Sequence, residues 1–226
     1  MERRPSSPNL APFQAKYRDR SRLVQYANRQ FLRTIDSLVA SAKPKTVLDA
    51  GCGEGMTLQY LQPRSSFRAV GLDLDPARLQ LGAADPATPP LVCGNGEELP
   101  FPDGAFEMVM VLEVLEHVGR PERALREAHR VCTRYLLASV PNEPWWHIGN
   151  LLRLKYVRQL GNTPEHINHW TLPGFKRFVG RHFRVTKIAT PVLWTVLLAE
   201  KLPAVSAERR NDTGDRRARD RAMREG

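Results

Sequence analysis

The sequence predicts an α/β fold in which a doubly wound, Rossmann-like and mostly parallel sheet carries helices on both faces. Strand-like and helical patterns alternate from residue 45 to residue 140, and such alternation favours parallel strands joined by helical crossovers. A glycine-rich turn follows the first of these strands. A tight turn joins the last two strands, so we expect the last strand to run antiparallel to its neighbours.

The predicted strands are short apolar runs bounded by turn residues. They cover residues 45–50, 67–73, 90–93, 105–112, 134–140, 183–190 and 192–199. Helical periodicity predicts further segments near residues 55–62, 76–84, 121–132 and 171–181. Pro76 and Pro121 support two of these helices, because a proline at the first helical position gives up no hydrogen bond.

The domain organisation follows from where this alternation starts and stops. Residues 1–12 are rich in Pro, Ser and Arg and are predicted to be disordered, whereas residues 13–44 carry the period of one or two helices that form a cap. The α/β domain is expected at 45–202, with an insertion at 141–170 whose aromatic and basic residues are candidates for acceptor selection. Arginines and acids alternate over 203–226, which predicts a disordered charged tail.

Composition narrows the class of protein. The net charge of +10 invites a nucleic-acid partner, but much of the excess lies near the two ends of the sequence, which makes nucleic acid the less favoured partner. No apolar run reaches the roughly 18 residues that span a bilayer, and the first residues lack the apolar segment of a secretory signal. With three cysteines and no C-x-x-C spacing, a cytoplasmic location is expected.

The most informative motif is a glycine-rich turn after the first predicted strand, Val47-Leu48-Asp49-Ala50-Gly51-Cys52-Gly53-Glu54-Gly55. Its glycines allow positive φ angles and a close approach of the backbone to a ligand. The G-x-G-x-G spacing differs from the dinucleotide fingerprint G-x-G-x-x-G. Asp49 would repel a pyrophosphate, so it favours a cationic ligand such as a sulfonium that carries an ammonium group.

This run resembles motif I of the class I S-adenosylmethionine-dependent methyltransferases, with a type 11-like domain over about residues 45–140. The resemblance implies S-adenosylmethionine as cofactor, with its methionine part above Asp49, Gly51, Cys52 and Gly53. It also places Leu112 in the cofactor site.

The next two strand ends supply the expected adenosine contacts. Asp73 follows Gly51 by 22 positions, close to the spacing of about 20 for a ribose-binding acid, while Asp75 is expected to cap the next helix. Leu74 can lie against the adenine face. Asn95 stands where the family often has an Asp, and its side-chain oxygen can accept from the adenine amino group, with the Gly96 N–H directed at the ring.

The fourth strand leads into a possible metal or base site, Leu112-Glu113-Val114-Leu115-Glu116-His117-Val118. If a helical turn starts there, Glu113, Glu116 and His117 share one face. With His166 they form a candidate set for Mg²⁺, Mn²⁺, Fe²⁺ or Zn²⁺. The alternatives are a metal-free general base, His117 or His166 with Glu113 as a further catalytic candidate, or a turn that only lines the methionine pocket.

Two methyltransferase groups share this arrangement. The ubiquinone-pathway O-methyltransferases resemble it in Glu-Val-Leu-Glu-His-Val, and the small-RNA 3′-terminal ribose 2′-O-methyltransferases resemble it in Glu-x-x-Glu-His followed by His-x-x-x-Trp-Thr, which ends here in Trp170 and Thr171. The sequence thus predicts methyl transfer to a small or lipid-like acceptor, with oxygen as the expected acceptor atom. The alternatives are a metal-dependent RNA ribose 2′-O-methyltransferase and a non-catalytic cofactor-binding regulator.

Overall fold

A computed structural model describes residues 22–142 and 167–202. The helices are α1 (Arg22–Ala42), α2 (Met56–Leu61), α3 (Pro76–Ala83), α4 (Pro121–Val131) and α5 (Leu172–Val179), with one 3-10 turn at Gln62–Arg64. The strands are β1 (Thr46–Ala50), β2 (Arg68–Asp73), β3 (Leu91–Cys93), β4 (Phe106–Leu112), β5 (Cys132–Pro141), β6 (Phe183–Ala189) and β7 (Trp194–Lys201).

These seven strands form one sheet in the order β3-β2-β1-β4-β5-β7-β6. The pairs from β3 to β5 are parallel, whereas β7 runs antiparallel to both β5 and β6. The predicted fold class is therefore confirmed, including the antiparallel last strand.

Each face of the sheet buries its own hydrophobic cluster. Helices α4 and α5 cover one face through residues such as Leu125 and Phe175. Helix α1 covers the other face with Phe31 and Ile35, and the Phe31 ring lies 4.8 Å from the ring of Trp194 on β7. The C-terminal half of the predicted helical cap thus contributes to the core of the sheet domain.

The described element boundaries lie within two residues of their prediction, and β7 is shifted by two residues at both ends. This strand begins at Trp194 rather than at residue 192, because Val192 has a positive φ of 52° and the Trp194 N–H closes a turn onto the Pro191 carbonyl at 3.1 Å. The segments predicted at 1–12 and 203–226, the first part of the cap, and most of the insertion lie outside the described residues.

The described helices also bear on the predicted absence of a membrane span. Within 22–142 and 167–202, no helix has both the length and the apolar character needed to cross a bilayer.

Candidate active site

The candidate site lies at the carboxyl ends of β1, β2, β3 and β4. The strand order reverses between β1 and β4, since the chain proceeds outward through β2 and β3 on one side and through β5 on the other. Doubly wound sheets bind ligands in the crevice at such a switch point. The site residues that the sequence predicts lie at this edge of the sheet or in the loops directly after it, at 49–55, 73–74, 95–96 and 112–117.

The glycine loop after β1 requires its glycines. Gly51, Gly53 and Gly55 have φ angles of 91°, 56° and 74°, which other residues rarely adopt. A side chain at Gly51 would also bring its Cβ to within 2.2 Å of Val114 Cγ2. The Gly51 N–H donates to the Leu72 carbonyl at 2.7 Å, so the loop is fixed to the end of β2.

The carboxylate of Asp73 is held by backbone N–H groups on both sides. Its Oδ2 accepts from Gly53 N at 2.7 Å, and its Oδ1 accepts from Asp75 N at 2.9 Å. Each oxygen keeps lone-pair capacity for a further donor. Asp75 accepts from Ala77 N at 2.9 Å and caps α3, as predicted.

Asp49 lies near the end of β1 and is only 3% exposed. Burial, together with the neighbouring charge of Asp73, raises the pKa of Asp49 to about 7. The buried carboxyl therefore takes up a proton in the physiological range unless a cation comes close to it.

The three thiols differ in their surroundings. Cys52, in the glycine loop, is buried, and this burial with the charges of Asp49 and Asp73 raises its pKa well above the ordinary range. Burial likewise raises the pKa of Cys132, at the start of β5, to about 11. Cys93, the last residue of β3, is exposed.

The loop after β3 leaves open space at Gly96. Apart from its chain neighbours, no heavy atom of residues 22–142 or 167–202 lies within 4 Å of the position where a Cβ would stand, so this space is available to a ring. Asn95 Oδ1 accepts from Glu97 N at 2.9 Å, which uses one of its two acceptor positions and leaves the other. Leu74, the neighbour of Asp73, is 69% exposed and can cover an apolar ligand face.

Arginines fix this loop to helix α4. Arg120 donates to Glu97 from its backbone N at 3.0 Å and from Nε at 2.8 Å. Arg130 donates to the carbonyls of Leu99 at 2.9 Å and Phe101 at 2.8 Å, and it pairs with Glu127 at 2.8 Å. Burial alone would raise the pKa of Glu97, but the hydrogen bonds from Arg120 bring it below its usual value.

The turn after β4 departs from the predicted one. Glu113 has a left-handed φ of 58°, so no helical turn begins there. Its carboxylate accepts from Trp194 Nε1 at 2.5 Å and from Ser139 Oγ at 3.3 Å, which directs it toward β5 and β7. The shared face assumed for Glu113, Glu116 and His117 was therefore wrong at its first residue.

The predicted metal set is not brought together in the described part of the chain. Glu116 is buried, at 1% exposure, whereas the next residue, His117, is exposed. Among residues 22–142 and 167–202, no three His, Cys, Asp or Glu side chains are grouped so that they could hold an ion. His166 lies outside the described residues. The described residues do not fit a metal centre, and we assign no step to one.

Comparison with known families identifies the domain. The family described as "Methyltransferase domain" matches residues 48–134, which run from β1 through the glycine loop and the turn after β4 to the start of β5. Over these residues the chain matches the methyltransferase domain of class I S-adenosylmethionine-dependent enzymes.

Similar proteins include both N- and O-methyltransferases. Ajmaline N-methyltransferase from Rauvolfia serpentina is 30% identical over 95 residues, which are 39% of this chain and 33% of that protein. A probable chloroplastic tocopherol O-methyltransferase from Oryza sativa is 35% identical over 41% of this chain and 27% of its own. Ubiquinone biosynthesis O-methyltransferase from Pseudomonas paraeruginosa is 29% identical over 51% of this chain and 53% of its own. The chain thus spans about a quarter to about half of these relatives.

Solved structures show the same fold at low sequence identity. Magnesium protoporphyrin IX methyltransferase from Synechocystis aligns with a TM-score of 0.60 at 17% identity, covering 80% of this chain and 88% of that one. A possible histamine N-methyltransferase from Thermotoga maritima aligns with a TM-score of 0.62 at 15% identity, covering 79% and 91%.

One residue that the sequence did not single out joins two parts of the methyltransferase domain. Asn168 Nδ2 donates to the carbonyls of Leu115 at 3.0 Å and Val118 at 2.8 Å. The backbone N–H groups of Ile167 and Asn168 both donate to the Glu116 carbonyl, at 2.9 and 3.1 Å. The end of the insertion is thereby attached to the turn after β4. The sequence feature that could have pointed to this residue is its position as an amide between His166 and His169.

The aromatic part of the insertion was expected to help form an acceptor wall, and Trp170 is the member of it that the structure describes. Its ring lies 4.5 Å from that of Phe178 and 5.8 Å from that of Phe175, both on α5. Trp170 therefore packs against the core of the methyltransferase domain.

Proposed function

We propose that this chain transfers a methyl group from S-adenosylmethionine to an oxygen atom of a small-molecule or lipid-like acceptor. The observation that carries the proposal is the pair of buried carboxylates, Asp49 and Asp73, beside the glycine loop. Two acids at 3% and 9% exposure would repel a pyrophosphate and would attract a cation. A sulfonium cofactor that also carries an ammonium group satisfies this requirement.

The surroundings of the two acids fit the rest of such a cofactor. Asp73 keeps acceptor capacity for ribose hydroxyls, and the open space at Gly96 admits an adenine ring next to Asn95. When bound, S-adenosylmethionine supplies an electrophilic methyl group on a positively charged sulfur. Asp49 provides the negative charge that favours its methionine part.

The protein contributes to this reaction mainly by holding the cofactor and the acceptor in position. Holding two reactants at attack distance can supply roughly 7–11 kcal/mol of the barrier. The glycine loop is fixed by Leu72 and Asp73, and the turn after β4 is fixed by Asn168, so both sides of the crevice are rigidly supported. We infer that the acceptor enters over this turn.

His117 is the candidate general base. It is exposed on the turn after β4, and an imidazole can accept a proton near neutral pH. In the proposed step, the acceptor hydroxyl gives its proton to His117 while its oxygen takes the methyl group, and the carbon–sulfur bond breaks so that neutral S-adenosylhomocysteine leaves. His166, the second predicted base, remains a prediction, and we assign Glu113 a structural role because Trp194 and Ser139 donate to its carboxylate.

Oxygen is proposed as the acceptor atom on two grounds. Two of the similar proteins are named as O-methyltransferases, of tocopherol and of ubiquinone biosynthesis. The run Glu113-Val114-Leu115-Glu116-His117-Val118 also resembles that of the ubiquinone-pathway enzymes. The ajmaline relative methylates nitrogen according to its name. Transfer to an amine would therefore replace oxygen by nitrogen as the proposed acceptor atom.

Cofactor binding is tested by isothermal titration with S-adenosylhomocysteine. The Asp73→Ala variant should weaken binding by about a hundredfold, the effect of roughly 2.7 kcal/mol for two lost charge-assisted hydrogen bonds. The control is Asp75→Ala, which removes a carboxylate two residues away that caps α3. Binding that is absent from folded wild-type protein, or equal in both variants, would overturn the cofactor assignment.

Acceptor chemistry is tested with radiolabelled S-adenosylmethionine against phenols and catechols, alkyl hydroxyls, amines and RNA. We expect transfer to a hydroxyl compound that falls by about a hundredfold in His117→Ala, within the usual range for a lost general base. Transfer to amines alone would replace oxygen by nitrogen, and transfer to RNA 3′ ends would support the ribose alternative. Normal cofactor binding with transfer to none of these classes would favour the regulator.

A further inference from the structure

Helices α4 and α5 enclose a groove of about 700 Å³ on one face of the sheet. Of the residues that the structure describes, five arginines line it, and Glu122 is the acidic residue among these lining side chains. These arginines are Arg120, Arg123, Arg126, Arg177 and Arg181. Neither the glycine loop nor the residues proposed to hold the adenosine belong to this lining.

The arginines form two rows. Arg120, at the N-cap of α4, precedes Arg123 and Arg126 within the helix at every third position, and Arg177 on α5 is followed by Arg181 just beyond the C-cap of that helix. Residues three and four apart lie on the same side of a helix. The two helices therefore present their arginine rows to the same space, where like charges repel each other unless anions neutralise them.

The protein neutralises only part of this charge. Arg120 pairs with Glu97 at 2.8 Å, Arg123 with Glu98 at 3.0 Å, and Arg181 with Glu122 at 2.8 Å. Across 22–142 and 167–202, Arg126 and Arg177 form no ion pair, and both are exposed. The groove thus retains two guanidinium groups, one on each helix, that are available to a ligand.

The chemistry of the groove indicates the class of ligand. A guanidinium group donates two parallel hydrogen bonds to a phosphate, and within 22–142 and 167–202 no lysine lines the groove. The rings of Trp170 and Phe178 form an apolar part of its wall. A volume of about 700 Å³ lies within the range of roughly 300–1,000 Å³ that is typical of small-molecule sites.

We propose that the groove between α4 and α5 binds a small ligand with two or more phosphate groups, with Arg126 and Arg177 as its principal contacts. The proposal is independent of the methyl acceptor and holds whether or not the chain transfers methyl groups. The phosphates bridge the two arginine rows and remove the repulsion between them.

The test is isothermal titration of the full chain with inorganic tripolyphosphate and, separately, with ATP. The double variant Arg126→Gln/Arg177→Gln should weaken binding of both at least tenfold. The matched control is Arg29→Gln/Arg68→Gln, which removes the same charge from exposed positions on α1 and β2, outside the groove, and should change the affinity less than twofold. S-adenosylhomocysteine titration and the unfolding midpoint should be the same in both double variants, which shows that each is folded.

Two results would overturn the proposal. Equal weakening by the two double variants, or no saturable binding, would mean that the groove arginines act only through the overall positive charge. Tighter binding of single-stranded RNA or of a polyglutamate peptide than of tripolyphosphate, through the same two arginines, would mean that the groove takes a macromolecular anion instead.

Discussion

The acids at the ends of β1 and β2 and those after β4 lie at the same edge of the sheet, but the protein treats them differently. Asp49 is buried without a hydrogen bond from residues 22–142 or 167–202 that offsets its burial, and Asp73 is held by backbone N–H groups of the glycine loop and of the loop after β2. Glu113, in contrast, accepts from Trp194, which is 81 residues away. We infer that the first pair is left available for a ligand and that Glu113 joins parts of the fold.

Removing Glu113 is the strongest way to test this contrast. Glu113→Ala should lower the free energy of unfolding by about 3 kcal/mol, because the buried indole N–H of Trp194 loses a charged acceptor. Urea unfolding of Glu113→Ala, Trp194→Phe and the double variant should give a coupling energy of about 1–3 kcal/mol.

A catalytic Glu113 would behave differently. Glu113→Ala would then abolish methyl transfer while its unfolding midpoint stayed at the wild-type value. That result would remove the contrast between the two groups of acids.

Asp49→Asn tests the ligand-facing side of the comparison through pH. The folded pKa of Asp49 is raised from 3.8 to about 7, so the folded state holds the proton more tightly and loses stability as pH rises through this window. Asp49→Asn should therefore stabilise the ligand-free protein by about 4 kcal/mol at pH 8 and leave it nearly unchanged at pH 3. The measurement is thermal or urea unfolding at both pH values.

Raising the pH should strengthen cofactor binding through Asp49, although it lowers the stability of the ligand-free protein. Because the ammonium group favours the charged carboxylate, wild-type affinity for S-adenosylhomocysteine should rise between pH 6 and 7.5 and then level off. This dependence should disappear in Asp49→Asn and persist in Asp36→Asn, a control on α1. A wild-type affinity that is flat over this range would contradict the assignment.

Gly96→Val tests the open space after β3. Since no atom lies within 4 Å of the added Cβ, the folded protein should accommodate the side chain with a change in stability below about 0.5 kcal/mol. Affinity for S-adenosylhomocysteine should fall about tenfold, because the valine occupies the space assigned to adenine; tenfold corresponds to about 1.4 kcal/mol. Gly119→Val, at an exposed glycine before α4, is the control, and an unchanged affinity in Gly96→Val would mean that adenine does not occupy this space.

Asn168→Ala should give the smallest effect on cofactor binding and a selective effect on turnover. Without its two hydrogen bonds to Leu115 and Val118, the turn that carries His117 is held less firmly. We expect kcat to fall about tenfold, as for a misplaced catalytic group, with cofactor affinity within twofold of wild type. Equal losses of kcat and of cofactor affinity would mean that the turn belongs to the cofactor site.

The same contrast explains what the sequence could predict. Asp49, Gly51 and Asp73 belong to a strand, a turn and a strand that are determined by residues a few positions away, so spacing alone located them. Glu113 takes a left-handed conformation, and its partner Trp194 lies on β7, so a helical turn was the reasonable but wrong expectation. Hydrogen bonds between distant segments leave no periodic pattern in the sequence.

Arg130 shows the same limit in the loop after β3. Nothing in the residues near Leu99 and Phe101 indicated that a side chain on α4 holds the carbonyls of both. The element boundaries were closer to the prediction, because strands and helices follow the local hydrophobic period.

The unequal surroundings of the three thiols give the protein a built-in site for selective labelling. A thiol reagent attacks the thiolate, so the raised pKa and burial of Cys52 and Cys132 protect both of them at neutral pH. Cys93 is exposed and stands two residues before Asn95. A maleimide fluorophore added to the natural sequence should therefore attach next to the loop that we propose holds adenine, and its emission would report ligand occupancy without any engineered cysteine.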